Sequence, residues 1–239
     1  MATDAITPVR ALLFDVFGTV VDWRSSLVRH LERFGRERGL EADWPGLADA
    51  WRGAYRPSMD RVRRGELAWT VLDDLHRSSL AVLSEERGLG LDGAALDRLA
   101  LLWRELDPWP DSRPGLTRLR ARFTLAPLSN GNVALLVAMA KRAGLEWDTV
   151  FGADLFGHYK PDPETYLGAC GLLRLRPEQA MLCAAHNLDL AAARALGLRT
   201  AFVARPTEHG PGQTADLGAE QDWDVVAGSL EELADRLGA

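Results

Sequence analysis

Short apolar runs bounded by turn residues recur along the chain: VRALLFDV (9–16), FTLAPLS (123–129), TVFGAD (149–154), AMLCAA (180–185), RTAFVA (199–204) and DVVAG (224–228). Their length and near-continuous apolar character fit strands covered on both faces. Helical patterns separate the later ones. NVALLVAMAKRAG and DLAAARALG each close on a glycine, and PETYLGACGLL opens with Pro and Glu, which suit a first helical turn. Strands alternating with helices predict an α/β fold with a Rossmann-like parallel sheet and right-handed crossovers.

The rhythm breaks between the first two strands, about a hundred residues apart. SSLVRHLERFGRER places Leu27, Leu31 and Phe34 on one helical face. LADAWRGAYRPSM, LAWTVLDDLHRSSLAVLSEE and AALDRLALLWREL follow as further helices, and DPWPDSRPG (107–115) reads as a turn-rich exit. The expected division is a core domain of residues 1–21 and 109–239 carrying an inserted helical cap, 22–108. Trp23, Trp44, Trp51, Trp69 and Trp103 fall in the cap or at its entrance. Aromatics at that density favour core over pocket lining. The stretch RPTEHGPGQTADLGAEQD (205–222) is a long loop with no assigned purpose.

Composition changes this picture little. The chain has 239 residues, 47% hydrophobic and 26% charged, with a formal net charge of −6. That is ordinary for a soluble protein and argues against nucleic-acid binding. Basic clusters such as RHLERFGRER are interleaved with acids, as on a solvated helix face. The two cysteines, Cys170 and Cys183, lack metal-like spacing, and Cys183 reads as a buried free thiol. MATDAITPVR has no apolar signal core and no apolar run is long enough to span a bilayer, so a cytoplasmic location is expected.

Candidate chemistry gathers at strand ends. In an open parallel sheet, ligands bind beyond the carboxyl ends of the strands. Asp15 ends the first strand; Ser129 and Asn130 end the second; Lys160 follows the third; His186, Asn187 and Asp189 follow the fourth. Each alone is ordinary: Ser-Asn-Gly makes turns, Lys-Pro-Asp makes loops, and Asp before AAAR caps helices. Together they point to one crevice.

DxFGT, LSNG, YKPDPxxY and HNxD, in that order, resemble the four motifs of the haloacid dehalogenase superfamily, through most of the chain outside the cap. Within it the chain looks closest to the 2-haloacid dehalogenases, specifically the (S)-2-haloacid (type II) enzymes. The resemblance implies that Asp15 is a nucleophile. Superfamily phosphatases carry an acid where Phe17 stands, to protonate an alkoxide; a halide leaves without a proton. They also carry a Mg²⁺-ligating carboxylate where Ala185 stands, which supplies no hard oxygen. The implied activity is metal-independent, cofactor-free hydrolysis of short 2-haloalkanoic acids (chloroacetate, 2-chloropropionate, fluoroacetate) to 2-hydroxy acids through an aspartyl ester.

By the same resemblance, Arg52 in the cap takes up halide; its alternative is one surface arginine among Arg56, Arg61, Arg63 and Arg64. The substrate carboxylate meets the backbone at Val16 and Phe17, the Ser129 hydroxyl and Asn130, and Trp69 stands near the halide. Lys160 pairs with Asp15 and Asp189 or orients the ester. Thr19 holds the Asp15 loop, and Tyr166 bonds nearby or is a helix-face aromatic. His186 stands where the family usually has Asn; with Asn187 next to it, it activates water, donates to halide, or merely stabilises a loop. Partners are the small 2-haloacid and halide, with a homodimer allowed through the tryptophan-rich cap. The alternatives are a superfamily phosphatase on a small phosphate ester, hydrolytic opening of a small strained ring, and an inactive binding protein of the same fold.

Overall fold

The computed structural model describes residues 8–239. The expectation for residues 1–7 as lacking a leader lies outside the described residues. The elements in chain order are β1 (Ala11–Phe14), β2 (Val21–Asp22), α1 (Trp23–Arg38), α2 (Trp44–Arg63), α3 (Leu72–Glu86), α4 (Gly93–Ala100) and β3 (Asp107–Pro108). They continue with α5 (Ser112–Arg120), β4 (Thr124–Ser129), α6 (Val133–Ala143), β5 (Phe151–Gly152), α7 (Pro163–Leu172), β6 (Ala180–Ala184), α8 (Asn187–Ala195), β7 (Arg199–Val203), β8 (Val225–Ala227) and α9 (Leu230–Arg236).

Six strands form one parallel sheet in the order β5-β4-β1-β6-β7-β8. Each of the six apolar runs supplies one of them. The period of two sends Leu12 and Phe14 to one face and Leu13 to the other. The first face packs on α5, α6 and α9, the second on α7 and α8. The fold is therefore α/β, a Rossmann-like core with helices α1–α4 inserted after β1. The chain runs outward from β1 through β4 to β5, then returns to β6 on the other side. That reversal opens a crevice at the carboxyl ends of β1, β4 and β6.

The cap joins the core at a two-residue antiparallel ribbon, Val21 opposite Pro108 and Asp22 opposite Asp107. Asp22 and Asp43 start α1 and α2 by accepting the N–H groups of Ser25 and Gly46. Trp23, Trp44, Trp51 and Trp103 are buried in a cluster continuous with the core. They therefore offer no apolar face to a second copy; Trp69, 38% exposed, is the exception.

Two helical expectations are corrected, and one helix went unforeseen. The segment after the cap exit is helical from Ser112, because Pro114 falls in the first turn, where its missing N–H costs nothing. The helix expected from Leu67 begins only at Leu72; residues 68–71 carry no regular structure, and the Thr70 carbonyl accepts the Tyr159 hydroxyl at 2.6 Å. α9 had no sequence expectation; Ser229 caps it by accepting the Glu232 N–H.

Candidate active site

Between cap and core lies a cavity of about 500 Å³. Asp15, Lys160, His186 and Asp189 meet on its core side, and Arg52 and Tyr55 on its cap side. Asp15 leaves the end of β1 with its N–H bonded to the Cys183 carbonyl of β6 at 3.0 Å. The residue is 8% exposed. Lys160 Nζ donates to Asp15 Oδ1 at 2.9 Å and to Asp189 Oδ2 at 2.5 Å. Tyr166 donates its hydroxyl to Asp189 Oδ1 at 2.5 Å. Thr19 donates to Asp15 Oδ2 and accepts the Ala185 N–H, both at 2.9 Å, which locks the β1 and β6 loops together. Asn130 Oδ1 accepts the Lys160 N–H at 2.7 Å and ties that loop to the end of β4.

Burial alone would raise the Asp15 pKa, but Lys160 and His186 outweigh it and hold the carboxyl far below the usual range. Burial would lower the Lys160 pKa, and its two carboxylates raise it instead. Asp15 is thus a buried carboxylate held in its ionised form.

The other side of Asp15 holds the expected His186 and a residue that sequence reasoning missed, Glu208. His186 lies between two carboxylates, with Nδ1 3.1 Å from Asp15 Oδ2 and Nε2 2.9 Å from Glu208 Oε2. Glu208 is 1% exposed. Its Oε1 accepts the Trp23 indole N–H at 2.9 Å and lies 3.9 Å from Arg52 Nη2. A Cβ on Gly18 would come within 2.1 Å of Glu208 Oε1, so glycine there makes room for the carboxylate as well as for a φ of +90°. Burial works against a charged His186, but Glu208 and Asp15 raise its pKa well above the usual value. Burial raises and His186 lowers the Glu208 pKa, with a net decrease.

Glu208 arrives on the long loop after β7. Arg205 anchors one end, donating to the Thr19 carbonyl at 2.9 Å and twice to Asp111 at 2.9 and 2.8 Å. Asn187 anchors the other: its side chain donates to Asp216 Oδ1 and the Gly218 carbonyl and accepts from Glu220 N and Trp223 Nε1.

Arg52 reaches the cavity with its guanidinium 4.2 Å over the Tyr55 ring and 5.4 Å over Trp23. Its Nη1 is buried without a hydrogen-bond partner among the described residues. Phe17 forms part of the wall, edge-on to Tyr55 and Trp103 at 6.2 and 5.7 Å. Behind it His76 stacks on Trp103 at 4.1 Å; burial and then Arg52 push its pKa well below the usual value.

The structure brings Asp15, Phe17, Arg52, Asn130, Lys160, Tyr166, His186 and Asp189 to the cavity wall. Five of the expected contact residues do not line it. Trp69 lies on the far side of the Lys160 loop against Tyr159, ring centroids 4.8 Å apart. Asn187 turns away to hold the loop just described. Ser129 is 2% exposed and accepts the Gly131 N–H at 3.1 Å, off the wall. Val16, expected to contribute its backbone, has its side chain buried in the core. Thr19 is wholly buried and touches Asp15, not the cavity. No group of three or more His, Cys, Asp or Glu side chains among the described residues could hold a metal ion. No helix among them is long and apolar enough to cross a membrane.

The family model described as haloacid dehalogenase-like hydrolase matches residues 9–197. The chain belongs to that family and is a hydrolase. Two solved structures superpose with a TM-score of 0.94. One is an L-2-haloacid dehalogenase, 57% identical, covering 96% of this chain and 99% of its own. The other is a defluorinating L-2-haloacid dehalogenase, 48% identical, covering 97% and 96%. Among curated proteins, an (S)-2-haloacid dehalogenase 4A of Burkholderia cepacia is 30% identical over 96% of this chain and all of its own. A phosphoglycolate phosphatase of Cupriavidus necator is also 30% identical, over 98% and 94%. These identities correct the expected placement nearest the (S)-2-haloacid subtype. The chain is a superfamily hydrolase related to the L-2-haloacid dehalogenases through the 57% and 48% matches, not specifically to that subtype.

Proposed function

We propose that the protein hydrolyses the carbon–halogen bond of short 2-haloalkanoic acids, with chloroacetate, 2-chloropropionate and fluoroacetate as candidates, through an ester on Asp15 and without a metal. One observation carries this reading: an ionised Asp15 held by Lys160 and His186 faces a cavity whose wall next to it is Phe17, not an acid. A halide leaves carbon unprotonated, whereas an alkoxide leaving phosphorus needs the proton that Phe17 cannot supply.

In the proposed sequence the substrate carboxylate binds the backbone N–H groups after Asp15. The Asp15 carboxylate attacks the halogen-bearing carbon in line, forming the ester and releasing halide. Arg52, whose Nη1 has no protein partner among the described residues, receives the halide. Lys160 keeps Asp15 and Asp189 ionised and orients the ester. Water then attacks the Asp15 carbonyl carbon, with His186 accepting its proton, and the 2-hydroxy acid leaves. The likeness to a phosphoglycolate phosphatase favours a second reading, phosphate-ester hydrolysis. It is weaker, because Phe17 and Ala185 remove the acid and the metal-ligating oxygen that chemistry uses.

The test is halide release from chloroacetate, fluoroacetate and both 2-chloropropionates with excess EDTA, beside an Asp15→Asn control. Release from at least one substrate, abolished in the control, is expected. No release, with Mg²⁺-dependent phosphate-ester hydrolysis instead, would replace this reading with the second.

A further inference from the structure

Glu208 touches none of the atoms that react, yet it is a carboxylate buried to 1% exposure and aimed at the residue that does. An ionised carboxylate can only accept hydrogen bonds. Oε1 is occupied by the Trp23 N–H at 2.9 Å, and Oε2 faces His186 Nε2 at 2.9 Å. The proton on that side of the ring must therefore sit on Nε2, whether His186 is charged or neutral. The free choice is left to Nδ1, which faces Asp15.

We propose that Glu208 is a positioning residue for hydrolysis of the Asp15 ester: it holds His186 with a proton on Nε2, so that the Nδ1 lone pair faces the ester and accepts a proton from water. This rests on the dehalogenase reading and deepens it. The charges around His186 explain the timing. In the free enzyme Asp15, Asp189 and Glu208 are balanced by Lys160, Arg52 and an imidazolium, with His209 Nε2 3.4 Å from Glu208 at the rim. Alkylation turns Asp15 from an anion into a neutral ester, and His186 loses one of its two anionic neighbours.

The Nδ1 proton then leaves to solvent as the halide departs. Neutral His186 next takes a proton from the water whose oxygen bonds to the Asp15 carbonyl carbon. Cleavage of the ester C–O bond expels the alkoxide, which takes the remaining proton of the added hydroxyl to become the hydroxy acid, leaving the imidazolium and the Asp15 carboxylate restored. The sum is one water consumed and one halide, one proton and one hydroxy acid released.

Glu208→Gln removes the charge and makes one atom a donor. With its oxygen kept by the Trp23 N–H, its NH₂ faces His186 Nε2 and favours the opposite tautomer. The experiment is rapid mixing of the full chain with chloroacetate, following chloride release and the mass of the Asp15 peptide. In Glu208→Gln a burst of one chloride per chain is expected, followed by turnover about a hundredfold slower than wild type, with a carboxymethyl group accumulating on Asp15. His186→Asn should show the same accumulation. The double variant should be no slower than the slower single, because both act through one group.

Loss of the burst in step with turnover, additive losses in the double variant, or unchanged ester hydrolysis in either single variant would overturn the proposal. Should Glu208→Gln not fold, His186→Asn decides by the same readout. A wild-type enzyme that neither releases chloride nor takes up the label from chloroacetate would sink the dehalogenase reading itself, and this proposal with it.

Discussion

Two cations flank Asp15, and each bridges it to a second carboxylate. Lys160 lies between Asp15 and Asp189, His186 between Asp15 and Glu208. The Lys160 side is built at strand ends from a group whose charge is permanent across the physiological range, its pKa raised further by its partners despite burial. The His186 side is built from a long loop around a group whose charge depends on its neighbours. In the proposed reaction one side holds the nucleophile ionised, and the other can change state once Asp15 has reacted. Two copies of either side would not serve a two-step reaction. A second permanent cation could not accept a proton from water, and a second histidine would surrender its charge whenever Asp15 did.

The sharpest way to break this comparison is to remove the permanent cation. Lys160 is the single donor shared by two buried carboxylates, and Lys160→Met leaves both without it. An uncompensated buried charge costs about 3–5 kcal/mol. The expected outcome is a large fall in thermal stability, together with loss of the chloride burst, since Asp15 would protonate far more readily. Calorimetry and rapid-mix chloride release check it. A variant with unaltered melting temperature and burst would mean that His186 alone suffices, and that the two sides are interchangeable.

A smaller effect is expected from Gly18→Ala, which addresses the other side without touching a titratable group. The backbone there has a φ of +90°, and the new methyl would meet the Glu208 carboxylate. Strain at such a position is on the order of 1–3 kcal/mol. Glu208 must withdraw from His186 to relieve the overlap. Alanine should therefore reproduce the slow ester hydrolysis of Glu208→Gln while leaving the burst intact, and Glu208→Asp in the same background, being one methylene shorter, should restore part of the rate.

The two sides were also unequally legible. Six apolar runs marked the six strands, and their order with intervening helices implied a parallel sheet, so the strand-end rule led to Asp15, Lys160, His186 and Asp189. Those residues need only the chain's local pattern and the crevice that a parallel sheet opens. Glu208 needs more. It lies five residues beyond β7, in a polar loop whose course depends on Arg205 finding Asp111 and Asn187 finding Asp216, contacts that no periodicity encodes. Carrying the strand-end rule on to RTAFVA and the RPTEH after it would have brought Glu208 into view, though not its contact with His186. Trp69 and Asn187 misled for a related reason. Position near a motif says which segment is close, while the direction of a side chain is set by packing: Trp69 finds the Tyr159 ring, and Asn187 the loop backbone.

The smallest effect is in the pH dependence of stability, and it separates the two sides without any substrate. His186 has a folded pKa well above its ordinary 6.5, so the native state binds its proton more tightly than the unfolded chain. That contribution is fully present below about pH 6.5 and is lost as pH rises through the folded value. Asp15 and Glu208 are lowered from 3.8 and 4.5, so their contribution is full above those values and is lost as pH falls through the folded ones. The His186 side should stabilise most between about pH 4.5 and 6.5. Melting temperatures of wild type and His186→Asn should differ most near pH 5.5, and the gap should narrow by on the order of 2–4 °C towards pH 9. Lys160, raised from 10.5, stays charged throughout that range, so wild type and Lys160→Met should keep a constant gap from about pH 6 to 9. A His186→Asn gap that widened with pH would mean that the ring is neutral in the free enzyme, and that the charge change on its side of Asp15 runs the other way.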